Sequence, residues 1–390
     1  MTERYVTQMH ASQLEAFCNV LSWAFGFPVE DAPGWLAQGG TDNVRGVLKS
    51  GNLAGGLLTL PMGQYFGGRS VAMVGIAGVA ITPEARGAGA ALSLMQHTVR
   101  ELHERGVALS TLYPATLALY RKAGWELAGS LFDIQVEAAR IGVQHRGATF
   151  RSLEPDDQAA VSELYAGVAR ESDGFLDRSD YIWGRVRAPR KNTARGTLLL
   201  IDEQPAGYVY ITQKQLPSDY YDLRLTDVRC TSPEAARALL SFVAHHATMA
   251  SHVHWMGPAI DPLLWQMPER TYKIAVREHW MTRICHIEQA LSERGYHPHI
   301  SAELCLDVHD PIIPEQSGCY RLRVRDGRGH VERGGSAGLR LDIRALAALY
   351  TGFASPQMLH RTGQLSGDAA SLTCAATLFA GAAPAMPDFF

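Results

Sequence analysis

The 390-residue chain has no uninterrupted apolar stretch long enough to cross a bilayer, which argues against a helical membrane protein. Its opening, Met1-Thr2-Glu3-Arg4, lacks the apolar core of a signal peptide, so a cytoplasmic location is expected. Charge of one sign is not in excess. The 36 Lys and Arg stand against 39 Asp and Glu, a formal charge of −3, and no long basic run occurs. Neither nucleic acid nor membrane is an expected partner. The six cysteines (Cys18, Cys230, Cys285, Cys305, Cys319 and Cys374) show no Cys-x-x-Cys spacing. Reduced, mostly buried thiols fit that scatter. His297 and His299, and the pair His245-His246, lack a third or fourth ligand at tight spacing, so no metal is expected.

What is present fits a globular protein, 46% hydrophobic and 19% charged, and its alternation of helix-like and strand-like segments suggests the α/β (α+β) class. At this length two or three domains are expected. The most informative stretch runs from Val79 to Leu94. A β-rich segment, Met73 to Ile81, meets Thr82-Pro83, then a turn carrying Gly87 and Gly89. Helical spacing follows, with Leu92, Met95, Val99 and Leu102 on one face and Gly106 just past the end. Glycines let backbone amides approach a phosphate, a helix N-terminus turns partial positive charge toward it, and Arg86 adds a fixed cation. A dinucleotide fingerprint needs three glycines and an acid about 20 positions on. Val107 to Leu112 holds no acid, and no Lys-Ser/Thr follows the glycines as a P-loop requires.

Upstream, Ser12 and Glu15 suggest a capping box for a helix carrying Leu14, Phe17, Cys18 and Leu21. The cluster Ser22-Trp23-Ala24-Phe25-Gly26-Phe27-Pro28 reads as core packing or as an apolar wall for an acceptor, with Trp23 and Phe25 as its candidates. Arg45 to Lys49, Leu53 to Pro61 and Ser70 to Ile81 read as a meander, turned at Ser50-Gly51-Asn52 and Gly67-Gly68. The end of its last strand, Val79-Ala80-Ile81, would present backbone groups to an extended ligand with amides of its own. Downstream, Thr116 to Glu126 reads as a short helix bearing Tyr120 and ending at Gly124.

From about Ala148 a second unit repeats the order. Thr231-Ser232-Pro233-Glu234-Ala235-Ala236-Arg237 echoes Thr82-Pro83-Glu84-Ala85-Arg86, without the glycines that a pyrophosphate would need. A third unit starts near His279, with a helix over Ile343 to Tyr350 that Asp342 would cap. The sequence ends Met386-Pro387-Asp388-Phe389-Phe390. Each terminal phenylalanine could bury roughly 150–250 Å², so a docked C-terminus is expected.

Arg86-x-x-Gly89-x-Ala91 after a Val-Ala-Ile strand, together with Tyr120 in a Leu-Tyr-x-x-x-Gly-Trp segment, resembles the GNAT superfamily of N-acetyltransferases. With a glycine-less echo, an α/β third unit and a terminal phenylalanine, the whole chain resembles the enhanced-intracellular-survival (Eis) acetyltransferases. That resemblance implies tandem GNAT-like domains followed by a sterol-carrier-protein-like domain. The boundaries would be 1–145 for the catalytic domain, 146–278 for the degenerate one and 279–390 for the last. It implies acetyl-CoA as acyl donor, held by Val79, Ala80, Ile81, Arg86, Gly87, Ala88, Gly89, Ala90 and Ala91. Tyr120 would be the general acid and the terminal carboxylate of Phe390 the general base. A homo-oligomer, a hexamer in that family, is the expected assembly. The acceptor would be a primary amine of a small molecule, an aminoglycoside-like antibiotic or a secondary metabolite. A protein lysine is the alternative, and an acyl-CoA-responsive lipid-binding module a further one. The loop Pro114-Ala115-Thr116 lacks the Ser-Glu pair of the aminoglycoside-acetylating members, and Arg86 stands alone in its turn. Both departures leave the acceptor open.

Overall fold

The computed structural model describes residues 3–336 and 338–390, apart from the side chains of Glu3 and Lys191. By its internal contacts the chain divides into two units. One holds the residues up to 129, residues 280–382 and Phe390; the other holds residues 130–279 and 383–389.

The first unit opens with β1 (Glu3–Val6), α1 (Ala11–Phe25) and α2 (Ala32–Gly39). The meander follows as β2 (Val44–Lys49), β3 (Asn52–Phe66) and β4 (Arg69–Ile81), then α3 (Ala90–Glu104), β5 (Leu109–Leu112) and α4 (Leu117–Lys122). β6 (Glu126–Glu137) starts here and continues into the second unit. The helix start of α1 differs from expectation. His10 is the N-cap, its N–H donates to Gln13 Oε1 at 2.9 Å, and Ser12 lies inside the helix. The buried face of α3 is Leu94, Met95, Val99 and Leu102; Leu92 is only partly covered.

The second unit carries β7 (Thr149–Ser152), α5 (Gln158–Arg170), β8 (Leu176–Asp177), α6 (Asp180–Arg187), β9 (Arg195–Ile201), β10 (Gln204–Gln215), β11 (Tyr221–Cys230), α7 (Pro233–Ala244) and β12 (Ala250–Gly257). β13 (Tyr272–Ile284) begins in it. The turn between β9 and β10 is made by Asp202 and Glu203, both with positive φ. Strand order is β7-β9-β10-β11-β12-β6, with β11 and β12 parallel. Its core joins Leu223, Leu225 and Val253 from the sheet to Ala235, Leu239, Leu240 and Val243 of α7. A buried ionic cluster lies within this unit. Arg178 stacks 3.7 Å over the Tyr165 ring and 4.7 Å from that of Trp183, and it pairs with Asp227 at 2.5 Å and Asp388 at 2.8 Å.

The rest of the first unit is α8 (Ile287–Glu293), β14 (Ala302–His309), β15 (Gly318–Arg325), β16 (Arg328–Arg333), β17 (Leu339–Asp342), α9 (Ile343–Tyr350), α10 (Pro356–Arg361), β18 (Leu365–Gly367) and α11 (Ala369–Leu378). Its five strands run in the order β16-β15-β14-β17-β18. Asp342 caps α9 as expected, its Oδ1 accepting from Ala345 N at 2.8 Å. Arg294 is buried at 2% exposure, its guanidinium 4.9–5.0 Å from the ring centroids of Tyr296, Tyr350 and Phe379.

Candidate active site

The geometry of the first unit turns on where β4 leaves β5. The two strands pair in parallel through Met73–Leu109, Val74–Ser110 and Gly75–Thr111, and β4 then runs six residues further to Ile81. On its other side β4 stays paired with β3, Ala80 opposite Gly56 and Ile81 opposite Gly55. A bulge interrupts that pairing at Gly78 and Val79. Gly78 has φ +60°, and a Cβ there would come within 2.5 Å of the Trp35 ring. So glycine is required twice over, by backbone conformation and by packing. The bulge bends the strand, and the Val79–Ile81 segment runs beyond the last β5 pair.

The turn after β4 has the features expected of an anion cradle. Gly87 and Gly89 have φ of +73° and +86°, and a Cβ on either would meet nothing within 4 Å. Gly89 caps α3 with no side chain, and no acid lies in the helix's first turn. Ser93 N–H donates to Gly89 O at 3.0 Å. The amides of Ala90, Ala91 and Leu92 are the orphan donors of a helix start. Arg86 is exposed, and among the described residues it donates only a long bond, 3.3 Å from its Nε to Ile81 O. Open space, outward amides and an uncommitted cation fit the pyrophosphate of acetyl-CoA.

Tyr120 lies on α4, buried at 5% exposure beside the same core as α3. Its ring meets Trp125 edge-on at 6.5 Å, and Trp125 is fixed by its Nε1–H donating to Ser110 O at 3.1 Å. Burial pushes the phenol up to about 12, so it holds its proton at neutral pH. No hydrogen-bond partner for its hydroxyl occurs among the described residues. Arg121, next along, forks onto Glu126 with bonds of 2.6–3.0 Å, a structural pairing.

Phe390 is 9% exposed, and its ring meets Tyr113 edge-on at 6.1 Å. A Cβ on Gly75 would lie 2.6 Å from Phe390 Cε2, so that glycine makes the ring's seat. Gly75 belongs to the last β4–β5 pair, and Tyr113 follows the end of β5. The C-terminal ring thus rests at the fork between the two strands. Phe389 departs from expectation at 38% exposure. Its carbonyl accepts from Arg185 Nε at 3.0 Å. Trp23 and Phe25 are not core residues, since they are 73% and 54% exposed.

Three residues at this site escaped the sequence reading. Gly78 had a usable signal, because an isolated glycine within a strand pattern marks a bulge or a close approach. Gly75 shared that signal. Arg283 had none. It is fully buried on β13, paired to Asp310 at 2.5 Å, and its side chain fills the space beside Gly124, where a Cβ would lie 2.9 Å from its Nε. That contact backs the chain just after α4.

Comparison with known proteins accords with this geometry. Two family signatures described as an acetyltransferase (GNAT) domain match residues 6–128 and 174–284. One described as a sterol carrier protein domain matches residues 287–387. A GCN5-related N-acetyltransferase from Anabaena variabilis is 35% identical, with a TM-score of 0.95 and full coverage of both chains. An uncharacterized N-acetyltransferase of Streptomyces avermitilis is 26% identical over 83% of this chain and 82% of its own length. Eis1 from Mycobacterium abscessus shares the fold over the full length of both chains at 19% identity, with a TM-score of 0.80. Among the described residues no helix is long and apolar enough to cross a membrane. The chain is an acyltransferase of the GCN5-related N-acetyltransferase family, built from two GNAT domains and a sterol carrier protein domain.

Proposed function

We propose that this enzyme transfers the acetyl group of acetyl-CoA directly to a primary amine of a small molecule, an antibiotic of aminoglycoside type or a secondary metabolite. The observation that carries the mechanism is the seat of Phe390 at the β4–β5 fork, against Gly75 and Tyr113. In this reading the Phe390 carboxylate takes a proton from the acceptor ammonium, and the free amine attacks the thioester carbon. Amides of Val79, Ala80 and Ile81 polarise the carbonyl as the strand's edge pairs with the donor's pantetheine. The C–S bond breaks and the departing thiolate takes the Tyr120 proton; the proton on the carboxylate passes to water, and the second proton, leaving the acylated nitrogen, returns through solvent to the Tyr120 phenolate. Arg86 and the turn Gly87-Ala88-Gly89-Ala90-Ala91 hold the pyrophosphate. Trp23 and Phe25, exposed and aromatic, would form the wall against which the acceptor rests.

We assign the catalytic domain to residues 1–145, the coenzyme-free domain to 146–278 and the last to 279–390, with a hexamer as the assembly and the cytoplasm as the location. Sedimentation equilibrium tests the hexamer. A panel of small amines and lysine peptides with acetyl-CoA, read by thiol release, tests the acceptor; turnover of peptides alone would replace the small amine with a protein lysine.

The tail gives the sharpest test of mechanism. Adding a few residues after Phe390 turns its carboxylate into a neutral amide. Deleting Phe390 draws the carboxylate back by about 3.3–3.6 Å, beyond hydrogen-bond reach. Both changes should cut kcat heavily with native circular dichroism, whereas Phe390→Leu, which keeps the terminus, should retain substantial activity. Wild-type turnover by the extended enzyme would show that the base is another group.

A further inference from the structure

We propose that the coenzyme-free middle domain carries a binding site of its own, for a small molecule with a planar aromatic body and an anionic head. The site is a cavity of about 660 Å³ bounded by β7, β9, β10, β11 and the C-terminal end of α7. That volume suits a metabolite-sized ligand. It lies at the far end of α7 from Ser232, so it is not the remnant of a coenzyme cradle. The proposal is independent of the acetyl-transfer mechanism.

Charge sets the head group. No Asp or Glu lines the cavity, while Arg151, Arg195 and His246 do. Arg151 is already neutralised by Asp157, through two bonds of 2.6 Å. Arg195 has no ion pair among the described residues. Burial first, and then the charge of Arg195, push His246 below its ordinary value, so this cation acts on the cavity without a carboxylate to cancel it. An anion would pair with Arg195 and meet no carboxylate of the wall.

Shape and polarity set the body. Phe150 and Phe242 stack at 4.4 Å with 18° between their planes, and His246 meets Phe242 edge-on at 5.7 Å. Both phenylalanines are only half-buried, which leaves aromatic surface facing the cavity. The Thr197 hydroxyl and the Gln213 amide, also on the wall, have no protein hydrogen-bond partner among the described residues. They would take the polar substituents of a ring.

The test uses the full-length protein and three probes, 2-naphthoate, its neutral amide and inorganic phosphate, by titration calorimetry. The expected result is 2-naphthoate binding with Kd below about 1 mM, unaffected by saturating acetyl-CoA. Arg195→Met, at an exposed position, and the neutral amide should each weaken binding by roughly tenfold, the loss of one charge-assisted contact. Unchanged 2-naphthoate affinity in folded Arg195→Met would overturn the proposal. So would displacement by acetyl-CoA, or phosphate binding as tightly as the naphthoate.

Discussion

The two GNAT domains share a skeleton and differ at the start of one helix. In both, a long strand pairs in parallel with one neighbour for a few residues and then runs on past that pairing, β4 beyond Gly75 and β11 beyond Leu225. In both a helix follows, α3 or α7. At α3 the cap is Gly89, which supplies no side chain, and the first turn carries no acid. At α7 the cap is Ser232, whose Oγ accepts from Ala235 N at 3.0 Å, while Pro233 removes a donor and Glu234 brings a carboxylate. Each of these three residues uses up, deletes or neutralises what a phosphate would bind. A helix start can be satisfied by its own side chains or by a ligand. In the first domain α3 brings no capping side chain of its own.

Gly89→Glu would make α3 resemble α7 and should have the largest effect. A carboxylate at the proposed pyrophosphate position, together with a positive φ that only glycine adopts freely, should take acetyl-CoA affinity below detection in calorimetry. Unchanged affinity in a folded variant would remove the cradle from α3. Tyr120→Phe comes next. It keeps the ring beside Trp125 and loses the proton, so kcat should fall by roughly 10²–10⁴ with acetyl-CoA affinity near wild type. Equal losses of binding and turnover would mean that the ring matters only for packing.

The interiors of the two units can be contrasted by pH. Burial alone would raise the Asp227 carboxyl, yet Arg178 and Arg229 hold it at about 2. Its folded pKa lies below the ordinary ~3.9, so its contribution is complete above that value and is lost as pH falls toward 2. Asp227→Asn strands two buried guanidinium groups and should cost about 3–5 kcal/mol at pH 7. Urea titration followed at pH 7 and pH 3 should show that cost shrinking with acid; a constant difference would mean that Asp227 is not the titrating group. The smallest effect belongs to the cap. Ser232→Ala should cost about 1 kcal/mol in the same assay and leave acetyl-CoA affinity alone. A change in that affinity would show that α7 takes part in binding the coenzyme after all.

The sequence was most legible where one local rule decides the outcome. Glycine at positive φ, a 3.6-residue period and an Asp at an N-cap gave α3, its turn and α9 nearly to the residue. It was least legible where partners are distant. Nothing local to Arg283 announces Asp310, and nothing around Arg178 announces Asp388, 210 positions away. Trp23 and Phe25 fell between. An aromatic cluster at a helix end looks like core, and only the fold shows that α1 turns its Phe17, Cys18 and Leu21 face inward and leaves those rings outside.

Arg294 limits what the interior of the last domain can hold around it. A sterol carrier holds its cargo in an apolar interior, and an apolar guest seated here would have to evict a guanidinium that three aromatic rings and the Tyr350 carbonyl already keep. Such a guest offers neither π faces nor carbonyls in exchange, so the displaced charge would be stranded at heavy cost. Around Arg294, then, the interior of this domain is closed by a side chain of its own, and a guest there would have to replace a keystone.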